Sequence, residues 1–159
     1  MKIKKIYVDM DGVLCDFEKR YTERYGEISD QVRRTTFRAN FDDFIKTEQF
    51  STLSPMKDAH VLIRFLNTVD VPKEILSSTA YDEVYDTISK QKTEWLSDHN
   101  IGWKTNFVPG KRHKYKFATP DSIIIDDTYS VIEDWNKAGG IAIWHKDALS
   151  TISQLKMYL

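Results

Sequence analysis

Two carboxylates two residues apart, Asp9 and Asp11, stand in Asp9-Met10-Asp11-Gly12, directly after the apolar run Ile6-Tyr7-Val8. Acids so close together coexist beyond a buried strand only with a cation nearby or with one of them protonated. Gly12 allows the turn that brings both to one pocket. A solvated Asp turn is the plain alternative. A calcium EF-hand does not fit, because glycine comes at the fourth loop position rather than the sixth. A second acidic pair, Asp126-Asp127, ends the wholly apolar run Ile123-Ile124-Ile125. Two negative charges there are costly unless something positive meets them. Ser77-Ser78-Thr79 ends another apolar run and offers hydroxyls and N–H groups to a phosphate oxygen, or simply a helix N-cap. The segment Lys111-Arg112-His113-Lys114-Tyr115-Lys116 supplies cations able to neutralise a phosphate or a carboxylate nucleophile. A solvated loop, or a short footprint for single-stranded nucleic acid, reads the same way.

These groups need elements to hold them. Apolar segments recur at Ile3 to Val8, Glu74 to Leu76, Thr105 to Val108, Ser122 to Ile125 and Ile141 to Trp144. Several are continuous rather than alternating, as in strands buried on both faces. Between them lie helical patterns. In Asp58 to Asp70, Val61, Leu62, Phe65, Leu66 and Val69 share one helix face. Asp82 to His99 and Tyr129 to Lys137 are also expected to be helical, the latter stopped by Gly139-Gly140. Alternating strand and helix implies an α/β fold with a mostly parallel sheet flanked by helices. Residues 14–53 break the alternation with charged, aromatic, helical patterns holding Phe17, Tyr21, Tyr25, Phe37, Phe41, Phe44 and Phe50. They are expected to form a small helical cap inserted after the first strand, with residues 1–13 and 54–159 as the core. Ligands of parallel sheets sit beyond the carboxyl ends of the strands, so such an insert could cover the site.

Composition narrows the class further. The chain has 159 residues with 41% hydrophobic and 30% charged, the balance of an ordinary globular domain. Twenty-three basic residues against twenty-four acidic leave a formal charge of −1, no general reason to expect a nucleic-acid or membrane partner. Cys15 is the one cysteine, which excludes an internal disulfide and a cysteine zinc cluster. The first apolar stretch ends at Asp9, too short for a secretory signal, and no window approaches a membrane span. The expected location is the cytoplasm.

On the four strand-end features the chain resembles haloacid dehalogenase (HAD) superfamily phosphatases, whose motifs are an Asp-x-Asp, a Ser/Thr, a Lys and an acidic pair. Here they are Asp9-Met10-Asp11, Ser77, Lys116 and Asp126-Asp127. Phosphoryl-receiver domains use similar residues, but their early acids are adjacent and their acceptor Asp follows a middle strand. Within the superfamily the chain is most similar to the 5′(3′)-deoxyribonucleotidases. The similarity rests on Val8 to Glu18, on Phe50 to Pro55 before a helix, and on Ser77-Ser78. It extends to Lys92 with Trp95 three residues later, and to Lys116 ten residues before Asp126. One departure is that relatives carry Thr-Ser-Pro where this chain has Ser77-Ser78-Thr79. The hydroxyl is kept, while the loop beside the substrate changes.

The resemblance implies a Rossmann-like HAD core and a Mg²⁺-dependent phosphatase of nucleoside monophosphates. Asp9 would be the nucleophile and Asp11 the proton donor. Asp9, Asp127 and the Asp11 carbonyl would hold Mg²⁺, with Asp126 beside them; the roles of Asp126 and Asp127 are interchangeable at this level. Ser77, Ser78 and Lys116 would hold the phosphate, and Phe17, Phe44 and Lys92 the rest of the substrate, with Phe37 and Phe41 behind them. The partner would be a small-molecule nucleotide, with no stable nucleic-acid partner and no membrane; a homodimer is left open. Two rivals stand beside this: a phosphatase for another small ester or a nucleic-acid terminal phosphate, and a non-catalytic nucleotide-binding module.

Overall fold

The computed structural model describes residues 1–27 and 34–159, so part of the expected insert, residues 28–33, lies outside the described residues. Five strands form one parallel sheet: β1 (Lys5–Val8), β2 (Lys73–Ser78), β3 (Lys104–Val108), β4 (Ser122–Asp126) and β5 (Ile141–Trp144). Their order is β3-β2-β1-β4-β5. The chain leaves β1 in one direction to build β2 and β3, then returns across it to β4 and β5. The topological switch point therefore falls between β1 and β4. Val8 pairs with Ile125 across it, and the Asp9 N–H donates to the Ile125 carbonyl at 3.0 Å. The two acidic motifs are thus neighbours by strand register alone.

Side chains alternate across a strand, so continuous apolar runs serve two layers. Ile6, Val8, Ile75, Ile123 and Ile125 pack with Leu62, Leu66 and Trp95 on one face. Tyr7, Leu76 and Ile124 pack with Val131 and Trp135 on the other. The helices follow: α3 (Ala59–Thr68) and α4 (Tyr85–Asp98) cover the first face, α5 (Tyr129–Lys137) the second. Opposite faces are what right-handed crossovers require when the sheet grows in opposite directions from β1. A last helix, α6 (Ala148–Lys156), returns to the first face, with Asp147 capping it through the Ser150 N–H at 2.8 Å. Among the described residues no helix is long and apolar enough to cross a membrane.

The insert holds α1 (Phe17–Tyr25), α2 (Arg34–Lys46) and a 3-10 turn at Gln49–Thr52. Its chain leaves and returns side by side: the Asp16 N–H donates to the Ser54 carbonyl and the Met56 N–H to the Leu14 carbonyl, both at 2.8 Å. Aromatic rings form its interior, with Phe44 fully buried against Phe17 and Phe50 at 4.9 Å. Two residues of α4 lock the insert to the core. Gln91 accepts from the Phe50 N–H at 3.2 Å and donates to the Ile45 carbonyl at 2.9 Å; Trp95 Nε1 donates to the Leu53 carbonyl at 2.7 Å. Replacing Gln91 by Leu leaves the buried Phe50 N–H without a partner, while the Ile45 carbonyl keeps the Glu48 N–H at 3.0 Å. Such an orphaned group costs about 1–3 kcal/mol, and urea unfolding of Gln91→Leu is expected to show a loss of about that size.

Candidate active site

The loop after β1 is folded on itself. The Met10 carbonyl accepts from the N–H groups of Val13, Leu14 and Cys15, and the Gly12 N–H donates to the Cys15 carbonyl at 2.9 Å. Gly12 has φ +84, a conformation that favours glycine, and a Cβ there would collide with the Asp127 carboxylate. The tight turn keeps Asp11 over the strand ends and leaves its main-chain carbonyl without an acceptor role among the described residues.

Asp9 is buried, with Oδ1 accepting from the Met10 N–H at 2.8 Å and from Lys114 Nζ at 2.9 Å. Its Oδ2 has no hydrogen-bond partner among the described residues, and the residue lines a cavity of about 830 Å³. Lys114 donates its second proton to Asp126 Oδ2 at 2.7 Å. An ammonium carries three donors, so one remains. Burial alone would lower the Lys114 pKa, but Asp9 and Asp126 raise it well above its ordinary value. Asp126 uses both oxygens, its Oδ1 accepting from the Thr128 N–H at 2.9 Å. Asp127 is the freer of the pair: its carboxylate packs against Gly12 and, among the described residues, accepts only from the Thr128 hydroxyl at 3.5 Å.

Lys116 is not the lysine of the site. It is exposed, and its Nζ donates to His113 Nδ1 at 3.0 Å. The segment Lys111–Phe117 is a 3-10 helix, in which side chains three apart share a face. Phe117 packs edge-on to Tyr7 of β1 at 5.8 Å, and Lys114, three residues earlier, is thereby turned to the strand ends. His113 and Lys116 occupy a different face. The sequence carried the signal, in the anchoring Phe117, but only once this helix type is known.

Lys92, expected to touch substrate, lies at the base of the site. It is buried, and its Nζ donates to Asp11 Oδ2 at 3.0 Å, Ser77 Oγ at 2.6 Å and the Ser78 carbonyl at 2.9 Å. Ser77 and Ser78 belong to β2 and cap no helix; α4 begins only at Tyr85. Ser77 is fully buried and lies outside the cavity lining, while Ser78 lines the cavity.

The cavity runs from Asp9, Asp11, Gly12, Ser78, Lys114 and Asp127 up to the insert, where Phe17, Phe37, Arg38, Phe41 and Phe50 line it. Phe17 is therefore among the residues that line the cavity. Phe44 is not, because it is fully buried in the aromatic interior and offers no face to a ligand. Phe37, Phe41 and Phe50 take that place. His145, on the far wall, was not anticipated: it is buried, hydrogen-bonded through Nδ1 to Thr151 Oγ1 at 2.7 Å, and burial lowers its pKa.

Four carboxylates meet two buried ammonium groups here, with Lys111 at the rim beside Asp127, still a surplus of negative charge. Asp9, Asp126 and Asp127 each offer an oxygen within 4.8 Å of the others. Burial, then Asp9, pushes Asp126 up to about 6; burial, then Asp9 and Asp126, pushes Asp127 up to about 7. Asp11 Oδ1 is buried without a partner among the described residues. Such an all-oxygen, over-acidic set fits a hard divalent cation such as Mg²⁺.

Two outcomes check this geometry. Lys114→Met leaves Asp9 and Asp126 buried and unpaired, a loss of about 3–5 kcal/mol in urea unfolding, whereas Lys116→Met is expected to change stability by no more than about 0.5 kcal/mol. Raised folded-state pKa values at Asp126 and Asp127 mean the folded chain binds more protons than the unfolded one between about pH 4 and 7. Stability of the metal-free protein therefore falls as pH rises through that window. Asp43, Glu74 and Asp121, whose pKa values are lowered, act only at more acidic pH. His113 and His145, whose pKa values burial lowers, add stability as pH rises to about 6.5 and offset part of the fall. Thermal melts in chelator should give a midpoint about 3–6 °C lower at pH 8 than at pH 5, and millimolar Mg²⁺ should narrow that gap.

No family model matches the sequence, and no curated protein matches it. Solved structures do match over nearly its whole length. A hydrolase from Streptococcus pneumoniae TIGR4 is 15% identical, with a TM-score of 0.56 and coverage of 98% of this chain and 100% of that one. A HAD-superfamily hydrolase from Ehrlichia chaffeensis is 10% identical, with a TM-score of 0.56 and coverage of 99% and 98%. At such identities the likeness speaks to architecture: the chain has the fold of HAD-superfamily hydrolases.

Proposed function

We propose that the protein is a Mg²⁺-dependent phosphomonoesterase that removes phosphate from nucleoside monophosphates through an aspartyl phosphate on Asp9. The observation that carries this is the pairing of a buried carboxylate, with one oxygen unbonded toward a cavity, and a buried lysine beside it with one donor to spare. Asp9 Oδ2 attacks phosphorus in line with the ester oxygen, and the P–O bond to the sugar breaks as the aspartyl bond forms. Asp11 gives its proton to the departing sugar oxygen and later takes one from the water that hydrolyses the intermediate. The spare Lys114 proton and the Ser78 N–H hold phosphate oxygens, with the buried Ser77 hydroxyl behind them. Asp9, Asp127 and the Asp11 carbonyl would hold Mg²⁺, which offsets the charge of the acids and the phosphate when bound. Asp126, with both oxygens already engaged, orients Lys114.

The cavity sets the substrate class. Its volume suits a nucleotide-sized ligand, and Phe17, Phe37, Phe41 and Phe50 offer aromatic surface above the phosphate end. Stacking on such rings tolerates different bases. A soluble nucleotide of the cytoplasm is the substrate in this reading. A second reading, a terminal phosphate on a nucleic-acid strand, draws on Lys111, Arg112 and Lys146 at the rim.

Phosphate release is to be measured with and without Mg²⁺ on dUMP, dTMP, sugar phosphates and 5′-phosphorylated oligonucleotides. Turnover of the mononucleotides is expected only with Mg²⁺, and Asp9→Asn should lower it by at least about 1,000-fold. Survival of that turnover in Asp9→Asn would sink the mechanism, and a preference for oligonucleotides would select the second reading.

A further inference from the structure

The floor of the site carries a second buried ammonium whose duty differs from that of Lys114. Lys92 projects from α4 and is 2% exposed. Its Nζ reaches three acceptors on two strand-end segments: Asp11 Oδ2 at 3.0 Å, Ser77 Oγ at 2.6 Å and the Ser78 carbonyl at 2.9 Å. These use all three protons of an ammonium group, so Lys92 has none left for a ligand. It also does not line the cavity. Asp11, by contrast, does, and its side chain is 32% exposed, held by Lys92 through one oxygen only. Its Oδ1 is buried and has no partner among the described residues.

We infer that Lys92 is a positioning residue that holds the Asp11 carboxyl toward the leaving oxygen. The effect follows from geometry: an acid held through Oδ2, with Oδ1 buried, keeps one orientation instead of sampling the rotamers open to a half-exposed carboxylate. Lys92 also ties the β1 loop to the end of β2, which keeps nucleophile loop and phosphate cradle in one register. The insert shares this anchor, because the ring of Phe50 lies 5.3 Å from the same ammonium.

The inference rests on the phosphatase reading and is tested by the leaving group. An alkoxide leaves only when protonated, whereas 4-nitrophenolate leaves without help. Lys92→Met and Lys92→Gln are to be compared with the wild type on dTMP (or glycerol phosphate, should nucleotides be refused) and on 4-nitrophenyl phosphate. On the alkyl ester kcat should fall by about 100-fold, the range of a positioned general acid, with KM within about threefold. On the aryl ester kcat should fall by less than about fivefold. In the Asp11→Asn background the same substitutions should cost little more, since the group they aim is gone. Equal losses on both esters, or a rise in KM at constant kcat, would overturn the role and make Lys92 a structural or phosphate-binding residue. Should Lys92→Met not fold, Lys92→Gln keeps a donor at the site and gives the same comparison. Absence of turnover by the wild type on every ester would sink the phosphatase reading itself, and the inference with it.

Discussion

The ammonium of Lys114, held between the carboxylates of Asp9 and Asp126, is the contact on which the rest of the site depends. Removing three charges from water is expensive, and the cost is tolerable only when opposite charges and hydrogen bonds meet each of them. That condition dictates much of the surrounding structure. Strands β1 and β4 must be adjacent and in register so that their acids converge. The 3-10 helix must lie across the strand ends, anchored by Phe117 on Tyr7. The Met10 and Thr128 N–H groups complete the shells of Asp9 and Asp126.

Two buried lysines divide the site between them. Lys114 serves the carboxylate at the end of β1 and retains a donor facing the cavity. Lys92 serves Asp11 and the end of β2 and retains none. The difference is one of valence rather than of location, and it separates a group that can answer to a ligand from one that holds its neighbours in place. Above them, the insert is joined by a paired neck and by Gln91 and Trp95 of α4. Its aromatic interior therefore abuts the strand ends instead of swinging free of them. Phe17 belongs to both, packed on Phe50 at 5.6 Å and facing the cavity at its other edge.

The sheet was legible because continuous apolar runs bounded by polar strand ends leave little choice: Ile123-Ile124-Ile125 must be buried on both faces. The acids of the site were legible for the same reason, since each closes such a run. The lysines were harder. A basic segment of six residues offers several cations, and the choice between Lys114 and Lys116 turns on helix type and on which residue is anchored to the sheet. Nor could aromatic content tell Phe44, fully buried in the insert, from Phe37 and Phe41, which line the cavity; rings that fill a small cap and rings that face a ligand are alike in composition.

What the sequence by itself determined, then, is the parallel α/β core and the four carboxylates at its strand ends. Periodicity and charge at the end of a buried run are local properties, and burial makes them costly to satisfy in any other way. Tertiary structure alone decided which cations meet those carboxylates and which rings remain exposed. Those outcomes depend on where a side chain points after helices, strands and insert have packed, and a long flexible lysine can reach partners more than seventy residues away, as Lys92 reaches Asp11.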